Sequence, residues 1–164
     1  MSSAPDFQSS TAATSPHSSG ILVSAPLIDS LVDCTFDVVY YAINTNMVHK
    51  RSERARFTLF VKSVLRKAEV TNPVAFVATV YINRIKFCIQ IAQEEFALER
   101  VFLGALVVAS KYLNDSTLKN CHWAICTRVF NNCDINLIER EFLEVIDWEL
   151  RVYEEDLRFP SKSL

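Results

Sequence analysis

The chain has 164 residues, half of them apolar, with 17 basic against 19 acidic side chains and a formal net charge of −2. That length holds one domain with tails, and the near-neutral balance argues against a broad nucleic-acid-binding surface. Only two glycines, Gly20 and Gly104, are present; tight β-hairpins prefer Gly or Asn-Gly turns, so the chain reads as helices joined by short loops. Five cysteines, an odd number, follow an N-terminus without a cationic, apolar leader pattern. The expectation is free thiols in a reducing compartment and an intracellular, soluble protein.

Residues 1–24 are rich in Ser and Thr with little to bury and are expected to be a disordered tail. Ser15-Pro16 within them is a minimal proline-directed phosphorylation site. An N-terminal helical segment is expected over 25–46. Pro26 suits its first turn, and Leu27, Leu31, Cys34, Val38 and Tyr41 share one face at helical spacing. Asn44 to Lys50 reads as a linker, and the basic run at 49–56 as a solvated loop running into a helix start.

Ser52 can cap the next helix, which should reach about Val70 with Phe57, Phe60, Val61, Val64, Leu65 and Ala68 buried. Asn72-Pro73 marks another start, Asn as cap and Pro at the first helical position. That helix covers at least Val74 to Lys86. No breaker separates Phe87 from Ala97, so helix and loop both remain open there. From Leu98 to Leu113 the sequence is LERVFLGALVVASKYL, apolar on every side between Val101 and Ala109. A bilayer span needs roughly 20 apolar residues, so this is the enclosed central helix of a helical domain. Gly104, Ala105 and Ala109 would permit close approach. Asn114-Asp115-Ser116 can cap a helix over 117–130, Asn131-Asn132 reads as a turn, and Asp134 or Asn136 can cap a last helix to about Trp148. The fold class is therefore all-α, an N-terminal helix followed by five more.

The run VASKYLND at 108–115, followed by DINLIEREFLEVIDWEL at 134–150, resembles the cyclin box, most nearly that of the fungal PHO80-like and PCL-type cyclins. The resemblance covers about residues 30–152. It implies a single five-helix cyclin box over 50–152, preceded by the N-terminal helix and followed by a tail at 153–164. It also implies a regulatory subunit that activates and targets a cyclin-dependent protein Ser/Thr kinase by pressing on the kinase's regulatory helix, in nucleus or cytoplasm. The implied partners are that kinase, as a heterodimer, and its substrates or inhibitors, with neither nucleic acid nor membrane.

Residue by residue, Lys111 matches the family's lysine that bonds backbone carbonyls around that kinase helix, and Glu139 matches its neighbouring glutamate. Val108, Tyr112, Leu143 and Leu150 match the apolar pocket that receives an aliphatic kinase side chain. Arg54 matches the family's first-helix arginine, whose usual aspartate partner is here Asn83. A charged acceptor is worth more than a neutral one by roughly 1 kcal/mol, so this departure bears on stability. Glu53, Arg54, Ala55, Arg56 and Phe57 stand where many cell-cycle cyclins carry an M-R-A-I-L docking helix. Two of its apolar positions have become charged, so short Arg-x-Leu motifs should not bind there.

Other chemistries fit less well. His122 and Cys126, with Cys121 and Cys133 nearby, do not form a recognised zinc pattern, and helical cysteines are usually small buried hydrophobes. No Gly-rich phosphate loop, paired carboxylates or oriented nucleophile is evident. The expectation is no metal, no cofactor and no catalytic activity in the chain itself. The alternative is a cyclin-fold adaptor in transcription, a class that usually has two boxes and a basic surface.

Overall fold

A computed structural model describes residues 22–44, 51–93 and 95–157. Ser15-Pro16, most of the linker and the last residues of the chain lie outside that range. Six helices follow in order: α1 (Ala25–Ala42), α2 (Arg51–Lys67), α3 (Asn72–Arg84), α4 (Ala97–Leu113), α5 (Asn120–Thr127) and α6 (Asn132–Val145). A short 3₁₀ turn spans Glu154–Leu157. Regular structure among the described residues is entirely helical, as the shortage of glycine implies. None of these helices is long and apolar enough to cross a membrane.

The central position of α4 follows from its sequence. Every residue from Ala97 to Ser110 except Arg100 is buried, and α4 packs against α1, α2, α3 and α6. Gly104 sets how closely α6 crosses it: a Cβ added there would meet Phe142 Cδ2 at 2.8 Å and Phe142 Cβ at 2.9 Å. An edge-to-face aromatic chain, Phe36 on Phe57 and Phe57 on Phe102, ties α1, α2 and α4 together. Thr35 and Thr79, buried in α1 and α3, satisfy their hydroxyls by donating to the carbonyls four residues back, at 2.7 Å and 2.9 Å.

The helix ends differ from expectation, in one case because the side chain expected to cap its own helix is used elsewhere. The residue before α3 is Thr71, and Asn72 instead accepts from the backbone N–H of Ser24 at 2.9 Å, fastening the start of α1 to the start of α3. Val23 is buried in the core, so ordered packing begins before residue 25. Ser52 lies inside α2. The stretch 114–119 is extended or bent and α5 starts only after Lys119. The last helix is capped by Asn131, which with Asp134 forms a reciprocal capping box. That helix also ends three residues short of Trp148.

One buried-face expectation shifts as well. The face of α1 in the core is Ile28, Leu31, Val32, Thr35, Phe36, Val38 and Val39, while Tyr41 is exposed. Several neighbours clasp α1 at once, so its apolar stripe is wide. Glu99 is buried to 2% exposure, its carboxylate taking a 2.8 Å bond from Arg56 on α2.

Asn83 is not the partner of Arg54. Arg54 Nη2 pairs with Asp33 of α1 at 2.5 Å, and its guanidinium lies 5.9 Å from the Phe36 ring centre. Asn83 is exposed at the end of α3 and bonds the Cys34 side chain, whose thiol burial pushes up in pKa. The arginine's ion pair is therefore kept, with the acid supplied by another helix.

Candidate functional site

The last turn of α4 leaves the core with three side chains at spacing i, i+3 and i+4. Val108 is 3% exposed and still belongs to the core, whereas Tyr112 is 48% exposed. Lys111 between them reaches α6: its Nζ donates to Glu139 Oε1 at 2.7 Å and to Oε2 at 2.8 Å. An ammonium has three N–H donors, so one remains for a partner. Glu139 is the less exposed of the two, 18% against 35%, and is held from its other side. Asn120, the first residue of α5, donates Nδ2 to Glu139 Oε2 and to Asn136 Oδ1, both at 2.7 Å. Its own Oδ1 is buried without a hydrogen-bond partner. A flip of this amide would set that oxygen against the carboxylate, so Glu139 fixes the orientation of Asn120.

Leu143 sits one turn after Glu139 and is half-buried, as is Leu150 beyond the helix. The chain between them turns through two consecutive left-handed residues, Asp147 at φ 54° and Trp148 at φ 57°, a conformation that costs non-glycine residues energy. The backbone N–H of Trp148 closes the turn on the Leu143 carbonyl at 3.0 Å, and the indole projects 64% exposed. After the turn, α3 holds the segment. Tyr81 donates its hydroxyl to the Leu150 carbonyl at 2.8 Å. Arg84 donates to the carbonyls of Glu149 and Arg151 at 2.7 Å and 3.0 Å and pairs with Asp156 at 2.8 Å. Burial, then the nearby Tyr112, pushes the Tyr81 phenol far above its ordinary pKa, so it stays a donor.

The structure thus brings Lys111 and Glu139 into direct contact and sets Val108 and Tyr112 on the same turn as Lys111. Leu143 and Leu150 stand at the two ends of one braced turn. Arg54 and Asn83 belong elsewhere and do not join this face. Asn120 and Trp148 do belong to it and were not anticipated. The one sequence signal for Trp148 was its occurrence where an amphipathic helix runs out; Asn120 had none beyond its residue type. The cysteines show no comparable organisation: Cys121 and Cys133 are exposed and Cys126 is buried. Among the described residues no three His, Cys, Asp or Glu side chains gather in a metal-holding group.

A compact all-helical domain built around an enclosed central helix is the cyclin arrangement. Residues 34–151 match the family model described as cyclin, N-terminal domain, and the chain belongs to that family. Among curated proteins it is similar to PHO85 cyclin-9 of Saccharomyces cerevisiae, 31% identical over 138 residues, which is 82% of this chain and 45% of that protein. PHO85 cyclin-2 of the same yeast is 29% identical over 138 residues, with the same coverage. PHO85 cyclin-1 is 36% identical over 101 residues, 60% of this chain and 36% of that protein. The chain therefore spans less than half the length of these relatives. No solved structure matches it significantly.

Proposed function

We propose that this chain is the regulatory subunit of a cyclin-dependent protein kinase of the kind its relatives' names give, PHO85. The observation that carries this reading is the Lys111–Glu139 pair at 2.7 Å, set beside the half-exposed Tyr112, Leu143 and Leu150. Its action is positional. The kinase's regulatory helix would lay an aliphatic side chain on the apolar members of the face, while Lys111 uses its remaining N–H on a backbone carbonyl of that helix. Glu139 and Asn120 hold the ammonium in place beforehand, which lowers the ordering cost of binding. With the helix so fixed, the kinase's own glutamate reaches its ATP-binding lysine. The chain itself would perform no chemistry.

Affinity capture of the tagged protein tests this. The wild type is expected to retain a proline-directed kinase. Truncating a charge that is hydrogen-bonded in a desolvated interface costs about 2–5 kcal/mol, so Lys111→Ala should weaken capture at least about thirtyfold. Lys111→Glu, which sets two carboxylates together, should abolish it. A wild type that captures no kinase, or a Lys111→Glu chain that captures it equally well, overturns the reading.

A further inference from the structure

A second concave site lies on the other side of α6. Ile138, Glu141 and Val145 line it at helical spacing, centred about 130° around the helix from Glu139 by the 100° turn per residue. Its other walls are the start of α4, through Arg100 and Val101, and the loop from Ile85 to Gln93. Phe142, which packs on Gly104 where α6 meets α4, lines the groove as well. Arg100 and Lys111 are eleven residues apart on α4, about 16 Å at 1.5 Å per residue, so this groove and the Lys111–Glu139 face are separate.

The groove has a volume of about 440 Å³ and a floor of Ile85, Ile89, Val101 and Phe142. Its polar groups do not converge on the floor, as they would in a small-molecule site. They stand at the rim, where Gln90, Ala92 and Gln93 are exposed. A carboxamide both donates and accepts, so these glutamines suit a peptide backbone passing along the rim while its side chains enter the floor. The rim charge is also defined. Arg100 pairs with Glu141 at 2.6 Å, and Glu144, exposed one turn of α6 away, is the second acid of the lining. The balance at the rim is one cation against two acids, complementary to a basic ligand residue.

We propose that this groove docks a short substrate segment in which a bulky apolar residue is followed or preceded by Lys or Arg. The docking stands on the groove alone; that the segment belongs to a kinase substrate rests on the kinase reading above.

The test uses the full chain and synthetic peptides carrying Phe or Leu beside Lys or Arg, with matched peptides in which Glu replaces the basic residue. Fluorescence anisotropy should show binding of the basic peptides and weaker binding of the acidic ones. Ala92→Arg, at an exposed rim position, should reduce affinity more than about tenfold by blocking the floor. Glu144→Lys should reduce it roughly threefold to tenfold, most at low salt. Lys111→Glu should leave it unchanged. No binding, or binding indifferent to Ala92→Arg, overturns the proposal. So does a concentration-dependent dimer that Ala92→Arg dissolves, which would make the groove a contact between copies. In the captured kinase complex, Ala92→Arg should raise KM for a substrate bearing the segment and leave kinase capture intact. Peptide binding without any captured kinase would leave the groove standing and remove the kinase reading alone.

Discussion

Gly104→Ala sets two effects of opposite sign against each other, and the structure decides between them. In a helix interior Ala is favoured over Gly by about 1 kcal/mol, so on propensity alone the substitution stabilises α4. The new methyl, however, would stand 2.8, 2.9 and 3.0 Å from Phe142 Cδ2, Cβ and Cγ. These atoms are the root of the side chain, which cannot swing aside as a flexible tip would, and Phe142 is itself 5% exposed. Overpacking of this kind costs about 1–3 kcal/mol. Three contacts at or inside 3.0 Å place it in the upper part of that range, so the net loss should be about 1–2 kcal/mol. Denaturant unfolding of wild type and variant measures it. Adding Phe142→Leu to the Gly104→Ala chain should recover part of the loss, giving a coupling between the two sites. Since α6 carries Glu139 and Leu143, the displaced helix should also weaken kinase capture. A Gly104→Ala chain as stable as wild type, or more so, would refute the reasoning.

Asn120→Ala should lower kinase affinity with Lys111 intact, and Asn120→Asp should lower it further by setting a second carboxylate beside Glu139; equal capture by all three chains would show that Asn120 has no part in it. Arg54→Ala and Asp33→Asn should each cost at most about 1 kcal/mol, because the pair is about one-third exposed, and a double-mutant cycle should find them coupled while Asn83→Ala shows no coupling to Arg54. A short Arg-x-Leu peptide should not bind at α2, and low-micromolar binding that maps to Arg56 by chemical-shift change would contradict this. Burial and the hydrogen bond to Glu53 raise the Tyr40 phenol to about 12. A raised phenol pKa contributes stability that is present below the unfolded value near 10 and is lost as pH rises toward 12. Unfolding followed over that window should therefore be less pH-dependent in Tyr40→Phe.

The helices were legible because their signals are local. An all-round apolar run, two glycines in the whole chain and Pro at two helix starts are enough to place α1, α3 and α4. The boundaries were less legible because capping side chains have competing uses. Asn72 looks like a cap from its own neighbourhood, yet its oxygen is taken by Ser24, 48 residues away. The shift of the α1 face has the same origin: helical spacing finds one stripe, but the number of helices packed around α1 decides how wide that stripe becomes. Arg54 shows the limit most clearly. Substituting Asn for an expected Asp in α3 suggests a lost ion pair, and only the approach of α1 reveals that Asp33 replaces it.

The candidate face divides along the same line. Lys111, Glu139 and Leu143 could be placed together because family spacing supplies the long-range information that periodicity lacks. Asn120 could not, since its contribution arises from the extended stretch after α4 delivering the first residue of α5 next to α6. Trp148 was hidden by the assumption that α6 continues through it. A helical Trp148 would show its ring to whatever packs on that stripe. Two left-handed residues instead turn the chain out of the helix and expose the ring at 64%. They also return Leu150 to within reach of Tyr81. The strain of that turn is thus held by bonds from α3, and the exposed side of the same turn is what a partner would meet.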